Sequence, residues 1–190
     1  MPYESYLGYL YFVNDAPEKM MSRELACWFH RMKVWDRVLF LDAGERDEAA
    51  QYNSMVRLAL TTSHEHFVFC DSDIRPHMEH MVPFWTAKPD VVGARYTTEN
   101  AQAWSQPDVI HAGLWRTRRG VLEAALALGG PLFEWEHDEA HERVTKCLCR
   151  HFCDKVKAAG FSVGVAGEAD HRPRKDFCGR VLSRETPLPE

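Results

Sequence analysis

Strand-like apolar runs alternating with helical patterns predict an α/β fold with a mostly parallel sheet. The first sign is a set of short apolar runs at residues 7–13, 38–41 and 67–70, each followed at once by polar residues. Between these runs, apolar residues recur at three- and four-residue spacing, the period of a helix with one buried face. The third sign is the balance of the chain. Its 190 residues are 45% hydrophobic and 27% charged, which suits one globular domain spanning residues 1–190.

Taken in order, residues 7–13 (LGYLYFV) read as a buried strand that stops at the turn residues Asn14, Asp15, Ala16 and Pro17. A helix is expected from about Ser22, because Leu25, Trp28, Phe29 and Met32 fall on one face. Residues 38–41 form a second strand, ending at Asp42, Ala43 and Gly44. Over 48–60 a helix lines up Ala49, Tyr52, Val56 and Leu60. Residues 67–70 form a third strand that runs into Asp71, Ser72 and Asp73. The second half predicts strands at 90–94 and 109–115, then a helix over 120–128 stopped by Gly129, Gly130 and Pro131. Val144, Cys147, Leu148, Phe152, Val156 and Ala159 share a helical face that Gly160 ends. Residues 161–165 are the last expected strand, before a basic, proline-containing, irregular tail.

The net charge of −5 argues against a nucleic-acid or anionic-membrane partner. No apolar run approaches the ~20 residues of a transmembrane helix. The N-terminus shows no basic stretch followed by an apolar one. Cys27 and Cys70 lie within apolar runs, where a thiol behaves as a small hydrophobe. With Cys147, Cys149, Cys153 and Cys178 they suggest a reducing, cytoplasmic protein.

In a parallel sheet, ligands bind at the carboxyl ends of the strands. Asn14 and Asp15, Asp42, and the Asp71-Ser72-Asp73 triplet therefore converge on one edge. Asp71 and Asp73, one residue apart after a strand, can point to the same side. Two close carboxylates repel and raise each other's pKa. A hard divalent cation, Mg²⁺ or Mn²⁺, relieves this and takes phosphate oxygens as further ligands. Its charge would assist a departing diphosphate. Aspartates are also common turn residues.

The wider pattern resembles the GT-A glycosyltransferases, family 2 among them. Ala50 and Asn53 in a helix, then the strand ending in Asp71-Ser72-Asp73, are similar to that family's helix and DxD motif. Asp90-Val91-Val92-Gly93-Ala94 looks like its DVVGG strand. Gly113, Leu114 and the Arg118-Arg119-Gly120-Val121-Leu122 segment, then Phe152-Cys153 and Ala159-Gly160-Phe161, follow in the family's order. The match covers about residues 7–172 and leaves a tail at 173–190. It implies a GT-A, Rossmann-like fold and a hexosyltransferase-like enzyme using a nucleotide-diphosphate-sugar donor with Mn²⁺ or Mg²⁺. The acceptor, whether glycan, protein or small molecule, stays open, as does the oligomeric state. By resemblance, Asn14, Asp15, Asp42, Asn53, Asp71 and Arg172 bind the donor. Asp71, Asp73 and His171 hold the metal. Arg172, Arg174 and Lys175 bring positive charge to the diphosphate.

The sequence departs from the family where inverting members carry an acidic pair. Aligned on Phe152-Cys153, those positions are Leu148 and Cys149, which cannot deprotonate an acceptor in the same way. Asp138, Glu139 and Glu142 are the candidate bases, and the stereochemical outcome is left open. Two other functions remain. One is a non-catalytic nucleotide-sugar-binding module. The other is a haloacid-dehalogenase-like phosphohydrolase, whose DxD supplies a nucleophile. That motif usually opens a chain, with Thr or Val where Arg75 stands here. A zinc site built from Cys147, Cys149, His151 and Cys153, with His137 and His141, is disfavoured: helical residues two apart point about 200° from each other. Core cysteines and exposed histidines are expected instead. Trp104, Trp115 and Trp135 suit either sugar stacking or core anchoring.

Overall fold

The computed structural model describes residues 6–12, 23–31, 35–42, 47–71, 74–96, 107–138, 140 and 144–171. For residues 6–12, 23, 24, 35–42 and 171 it describes the backbone alone. The described strands are β1 (Tyr6–Phe12), β2 (Trp35–Asp42), β3 (His66–Asp71), β4 (Ile74–Pro76), β5 (Val91–Tyr96), β6 (Leu114–Arg118), β7 (Glu136–His137), β8 (Val144–Lys146) and β9 (Val163–His171). The α-helices are α1 (Arg23–Arg31), α2 (Glu48–Leu60), α3 (Val82–Thr86), α4 (Arg119–Ala127) and α5 (Leu148–Ala158). A 3₁₀ turn at Met78–His80 joins β4 to α3.

Seven strands form one sheet in the order β2-β1-β3-β6-β5-β9-β4. β1 runs parallel to both β2 and β3. β6 is antiparallel to β3 and β5, β5 and β9 are parallel, and β4 is antiparallel to β9. The sheet is therefore mixed rather than mostly parallel as the alternation predicts: β1, β2, β3, β5 and β9 run one way, and β6 and β4 are reversed. β7 and β8 make a separate hairpin.

Strand periodicity divides the core between the two faces. Phe67, Phe69, Val91 and Trp115 point to the side covered by α2, α4 and α5. Val68, Cys70, Val92, Ala94 and Leu114 point to the side covered by α1 and α3. On the first side Trp115 stacks on Phe69 at 4.2 Å and meets Phe152 at 4.9 Å. On the second, Trp28 stacks on Trp85 at 5.8 Å. Leu25 and Trp28 are buried there, and Cys27, turned off that helical stripe, is exposed rather than buried. Cys70 is buried as expected.

Local signals fix the helix ends. Asp47 caps α2 by accepting the Ala50 N–H at 2.9 Å. Gly129 after α4 and Gly160 after α5 take positive φ, the left-handed conformation that glycine adopts without strain. Arg119, at the start of α4, donates to the carbonyls of Leu60, Thr62 and His64 and so anchors the α2–β3 connection. Buried Arg116 donates to the carbonyls of Phe84 (2.6 Å) and Ala87 (2.7 Å), tying α3 to β6.

The second half differs from the expected elements in two places. The strand expected over 109–115 is β6, which lies later in the chain, while 107–113 form the loop leading into it. The helix expected from 144 begins at Leu148, because residues 144–146 pair with β7 instead.

Candidate functional site

The carboxyl ends of β1, β2 and β3 lie on one edge. Tyr11 stands in register with Asp71, and Phe12 with Asp42, so the ends of β2 and β3 lie either side of β1. Asp42 and Asp71 thus share the edge that the parallel-sheet reading requires. Asn14, Asp15, Ser72 and Asp73 lie outside the described residues.

Asp71 ends β3 and its side chain is 4% exposed, not open to a cleft. Tyr52, one helical turn into α2, donates its hydroxyl to both carboxylate oxygens, at 3.1 and 3.0 Å. The Asp71 N–H donates to the Gly113 carbonyl at 2.7 Å. Gly113 has no room for a side chain. A Cβ there would meet Tyr96 Oη at 2.8 Å, Ile74 Cδ1 at 2.9 Å and Asp71 Oδ2 at 3.4 Å. The loop ahead of β6 therefore presses its backbone against the end of β3 and fixes where the triplet begins.

His171 belongs to β9, and its backbone pairs with Ile74, the residue after Asp73. The last described residue of the sheet is thereby returned to Ile74, at the start of β4. Arg172, Arg174 and Lys175 lie outside the described residues.

Asn53 is occupied within the protein. Its Nδ2 donates to the carbonyls of Ala49 (2.8 Å) and Phe133 (2.7 Å). Its Oδ1 accepts the N–H groups of Leu132 (2.9 Å) and Phe133 (3.1 Å). Two donors and two acceptor positions are the full capacity of an amide. Asn53 ties α2 to the 132–133 segment, and a contact to a donor sugar would require giving up one of these bonds. Of the candidate bases, Asp138 follows β7 and is half-buried, while Glu139 and Glu142 lie outside the described residues. Trp115 is fully buried and is a core anchor, and Trp135 packs on the same cluster. Trp104 lies outside the described residues.

Among the described residues the cysteine cluster is arranged differently from what the sequence suggests. Cys147 precedes α5 with extended backbone and acts as its N-cap residue. The 200° separation therefore does not apply, and the Cys149 thiol hydrogen-bonds Cys147. Cys149 also accepts the Ala112 N–H at 3.4 Å, next to Gly113. Cys153 turns into the core and accepts the Ile110 N–H at 3.4 Å. His151, expected to be exposed, is mostly buried and pairs with Glu136 at 3.0 Å. His141 lies outside the described residues.

The Cys149 thiol and backbone N–H groups at the start of α5 bring the Cys147 pKa down to about 5. Hydrogen bonding to Cys147 and burial push Cys149 well above the usual thiol range. Burial lifts Cys153 to about 12. Cys147 is thus the thiol of the pair expected to lose its proton first. We expect iodoacetamide to label Cys147 with a rate that falls as pH drops through about 5, while Cys153 stays unlabelled. Cys149→Ala should move the Cys147 midpoint up towards the ordinary thiol value. Mass-spectrometric labelling between pH 4 and pH 9 (about the range over which a thiol can titrate) measures both effects.

No protein-family model matches the sequence, and neither does any curated protein. Among solved structures, A197 from STIV is similar over 98% of this chain and 97% of its own, at TM-score 0.53 and 12% identity. The catalytic domain of Drosophila β1,4-galactosyltransferase 7, solved with xylobiose, is similar over 97% of this chain and 76% of its own, at TM-score 0.59 and 12% identity. A mutant of that enzyme, solved with manganese, UDP-Gal and xylobiose, gives TM-score 0.60 at 12% identity, covering 95% of this chain and 76% of its own. The chain has the GT-A fold of nucleotide-sugar transferases.

Proposed function

We propose that this GT-A chain is a metal-dependent glycosyltransferase, moving a sugar from a nucleotide-diphosphate-sugar donor to a glycan, protein or small-molecule acceptor. One observation carries the reading: β2 and β3 end on Asp42 and Asp71 at a single edge, and β9 brings His171 back to Ile74, at the start of β4. A fold alone does not specify chemistry. Here the side-chain types placed on that edge agree with it.

The donor set suits a divalent cation. Asp71 accepts the Tyr52 hydroxyl on its carboxylate, and a carboxylate oxygen is a ligand that hard cations take. Asp71, Asp73 and His171 together offer oxygen and imidazole ligands, a set that favours Mn²⁺ over Mg²⁺. Bound there, the metal would neutralise charge on the diphosphate leaving group. Tyr52 holds the Asp71 carboxylate, and the Gly113 carbonyl holds its backbone N–H. Asp42, Asn14 and Asp15 would hydrogen-bond the nucleoside, and Arg172 would face the phosphates. Asp138, Glu139 or Glu142 would take the acceptor proton. No helix of the described residues is long and apolar enough to cross a membrane. The cytoplasmic placement rests on the cysteine usage of the sequence.

A second reading is a nucleotide-sugar-binding module without turnover, and the replacement of an acidic pair by Leu148 and Cys149 favours it. The reversed β6 within the sheet and the likeness to GT-A structures speak against the phosphohydrolase. The Drosophila enzyme was solved with manganese and UDP-Gal, so UDP-sugars with Mn²⁺ are the first ligands to try. The test is a thermal-shift and hydrolysis screen of nucleotide-sugars with and without Mn²⁺. A metal-dependent shift with slow sugar release supports the transferase, and a shift without release supports the binding module. Phosphate release from simple phosphomonoesters, or no metal-dependent response to any donor, overturns the transferase reading.

A further inference from the structure

A second group of ligating side chains lies at the other end of the β4–β9 ladder. β4 pairs Ile74 with His171, Arg75 with Asp170 and Pro76 with Ala169. The His77 N–H then donates to the Glu168 carbonyl at 2.9 Å, extending the ladder by one rung. The chain turns into the 3₁₀ segment, closed by the His80 N–H donating to the His77 carbonyl at 2.8 Å. Two histidines three residues apart are thus set on one short turn above β9.

Gly167 allows that turn to come so close. Its φ is +75°, and a Cβ there would meet Phe84 Cβ at 2.7 Å, Met81 Sδ at 3.2 Å and the His80 carbonyl at 3.4 Å. The register of β9 against β5 shifts just before Glu168, as at a β-bulge, and a bulge re-aims the side chain that follows. Glu168 Oε2 comes to 2.6 Å from His80 Nδ1. Asp170 Oδ2 lies 3.1 Å from His77 Nε2. One ligand atom each from His77, His80 and Glu168 falls within 4.8 Å of the other two.

We infer that His77, His80 and Glu168 form a Zn²⁺ site that clips the edge strand β4 to β9. Two imidazoles and one carboxylate are a ligand set that zinc accepts, with a fourth position left for water. Ligand atoms around a tetrahedral zinc with ~2.1 Å bonds stand about 3.4 Å apart, so the present arrangement needs only small side-chain adjustments. Asp170 supplies what a zinc-bound histidine usually has: a carboxylate that accepts from the other ring nitrogen, fixing the tautomer. With Nε2–H held by Asp170, His77 presents Nδ1 to the metal. His80 and Glu168 are 88 residues apart, so the metal closes a long loop, and it binds the folded chain in preference to the unfolded one. This zinc is separate from the cation assigned to Asp71, Asp73 and His171, and it needs no nucleotide-sugar.

The full chain is loaded with zinc, desalted and assayed for retained metal, alongside a chain carrying Asp73→Ala and His171→Ala. Both should retain stoichiometric zinc. His80→Ala and Glu168→Gln should lose it while keeping the metal-free Tm of the parent. Asp170→Asn should bind zinc about 10–100-fold more weakly. Zinc should raise the Tm of the parent but not of His80→Ala. The inference is overturned if the parent retains no zinc, if His80→Ala retains as much as the parent, or if retention depends on Asp73 and His171 instead. In the last case zinc occupies the proposed donor site, whose own test remains the Mn²⁺-dependent binding of nucleotide-sugars.

Discussion

Asp73→Ala is expected to weaken Mn²⁺-dependent binding of a nucleotide-diphosphate sugar by about a hundred-fold or more, in line with the several kcal/mol that a bound cation contributes. The fold should survive, as read by far-UV circular dichroism and Tm. Asp71→Ala should behave differently. Its carboxylate is buried and accepts the Tyr52 hydroxyl, so its removal strands a buried donor as well as a ligand. That costs about 1–3 kcal/mol of stability in addition to the binding loss. His171→Ala should cut Mn²⁺-dependent donor binding and leave metal-free binding alone. Calorimetric titration with and without Mn²⁺ separates these cases. Equal affinity for parent and Asp73→Ala in Mn²⁺ would remove the metal role.

The second large effect lies in the core. Trp115 sits between Phe69 and Phe152, 4.2 and 4.9 Å from their ring centres, and is fully buried. Trp115→Ala should cost about 3–5 kcal/mol, from lost burial and the cavity left behind. That is a large part of the ~5–15 kcal/mol by which such domains are stable. Trp115→Phe should cost far less. The indole N–H finds no hydrogen-bond acceptor among the described residues, so a phenyl ring loses volume but no bond. Urea unfolding followed by circular dichroism gives both values. A sugar-stacking role would predict the reverse, a loss of binding with little loss of stability.

The first half of the fold was legible because its strands are continuous apolar runs ended by polar residues. β1, β2 and β3 lie close to where those runs fall, and Asp71 ends β3 as the triplet suggests. The second half was harder to read because tertiary pairing overrides local pattern there. Residues 144–146 carry a helix-compatible spacing, yet they pair with β7, and that shift turns Cys147 into a cap whose thiol meets Cys149. The length of β9 was missed for a similar reason. Its outer half, Ala166 to His171, reads as mixed and polar, because it pairs with β4 at the edge and is not buried on both faces.

The edge shared by Asp42 and Asp71 was legible from the polar ends of the strands. How the side chains near it are used was not. Asn53 has every hydrogen-bond position filled by backbone, and its helical spacing gives no hint of that. Tyr52 was visible only as an apolar-face residue, although its hydroxyl orients Asp71. A tyrosine whose ring is on the core face and whose tip reaches a strand end is the available signal. His77 and His80 carried a three-residue spacing that is common on surfaces. Only the bulge at Gly167, which no pattern reveals, places Glu168 beside them.

The position of β9 has a consequence for how the chain is made. β4 follows β3 almost directly in sequence, yet it lies at the outer edge of the sheet, with β9 between it and β5. During synthesis, Ile74 leaves the ribosome well before His171, its eventual partner. At roughly 5–20 residues per second, β4 and the outer side of β5 wait about 5–20 s without a neighbour. Bare strand edges are templates for pairing with other chains. The nascent protein therefore passes through an interval in which it is open to a holding chaperone or to a second copy of itself. That interval ends when the segment made last among the described strands slides between two made earlier.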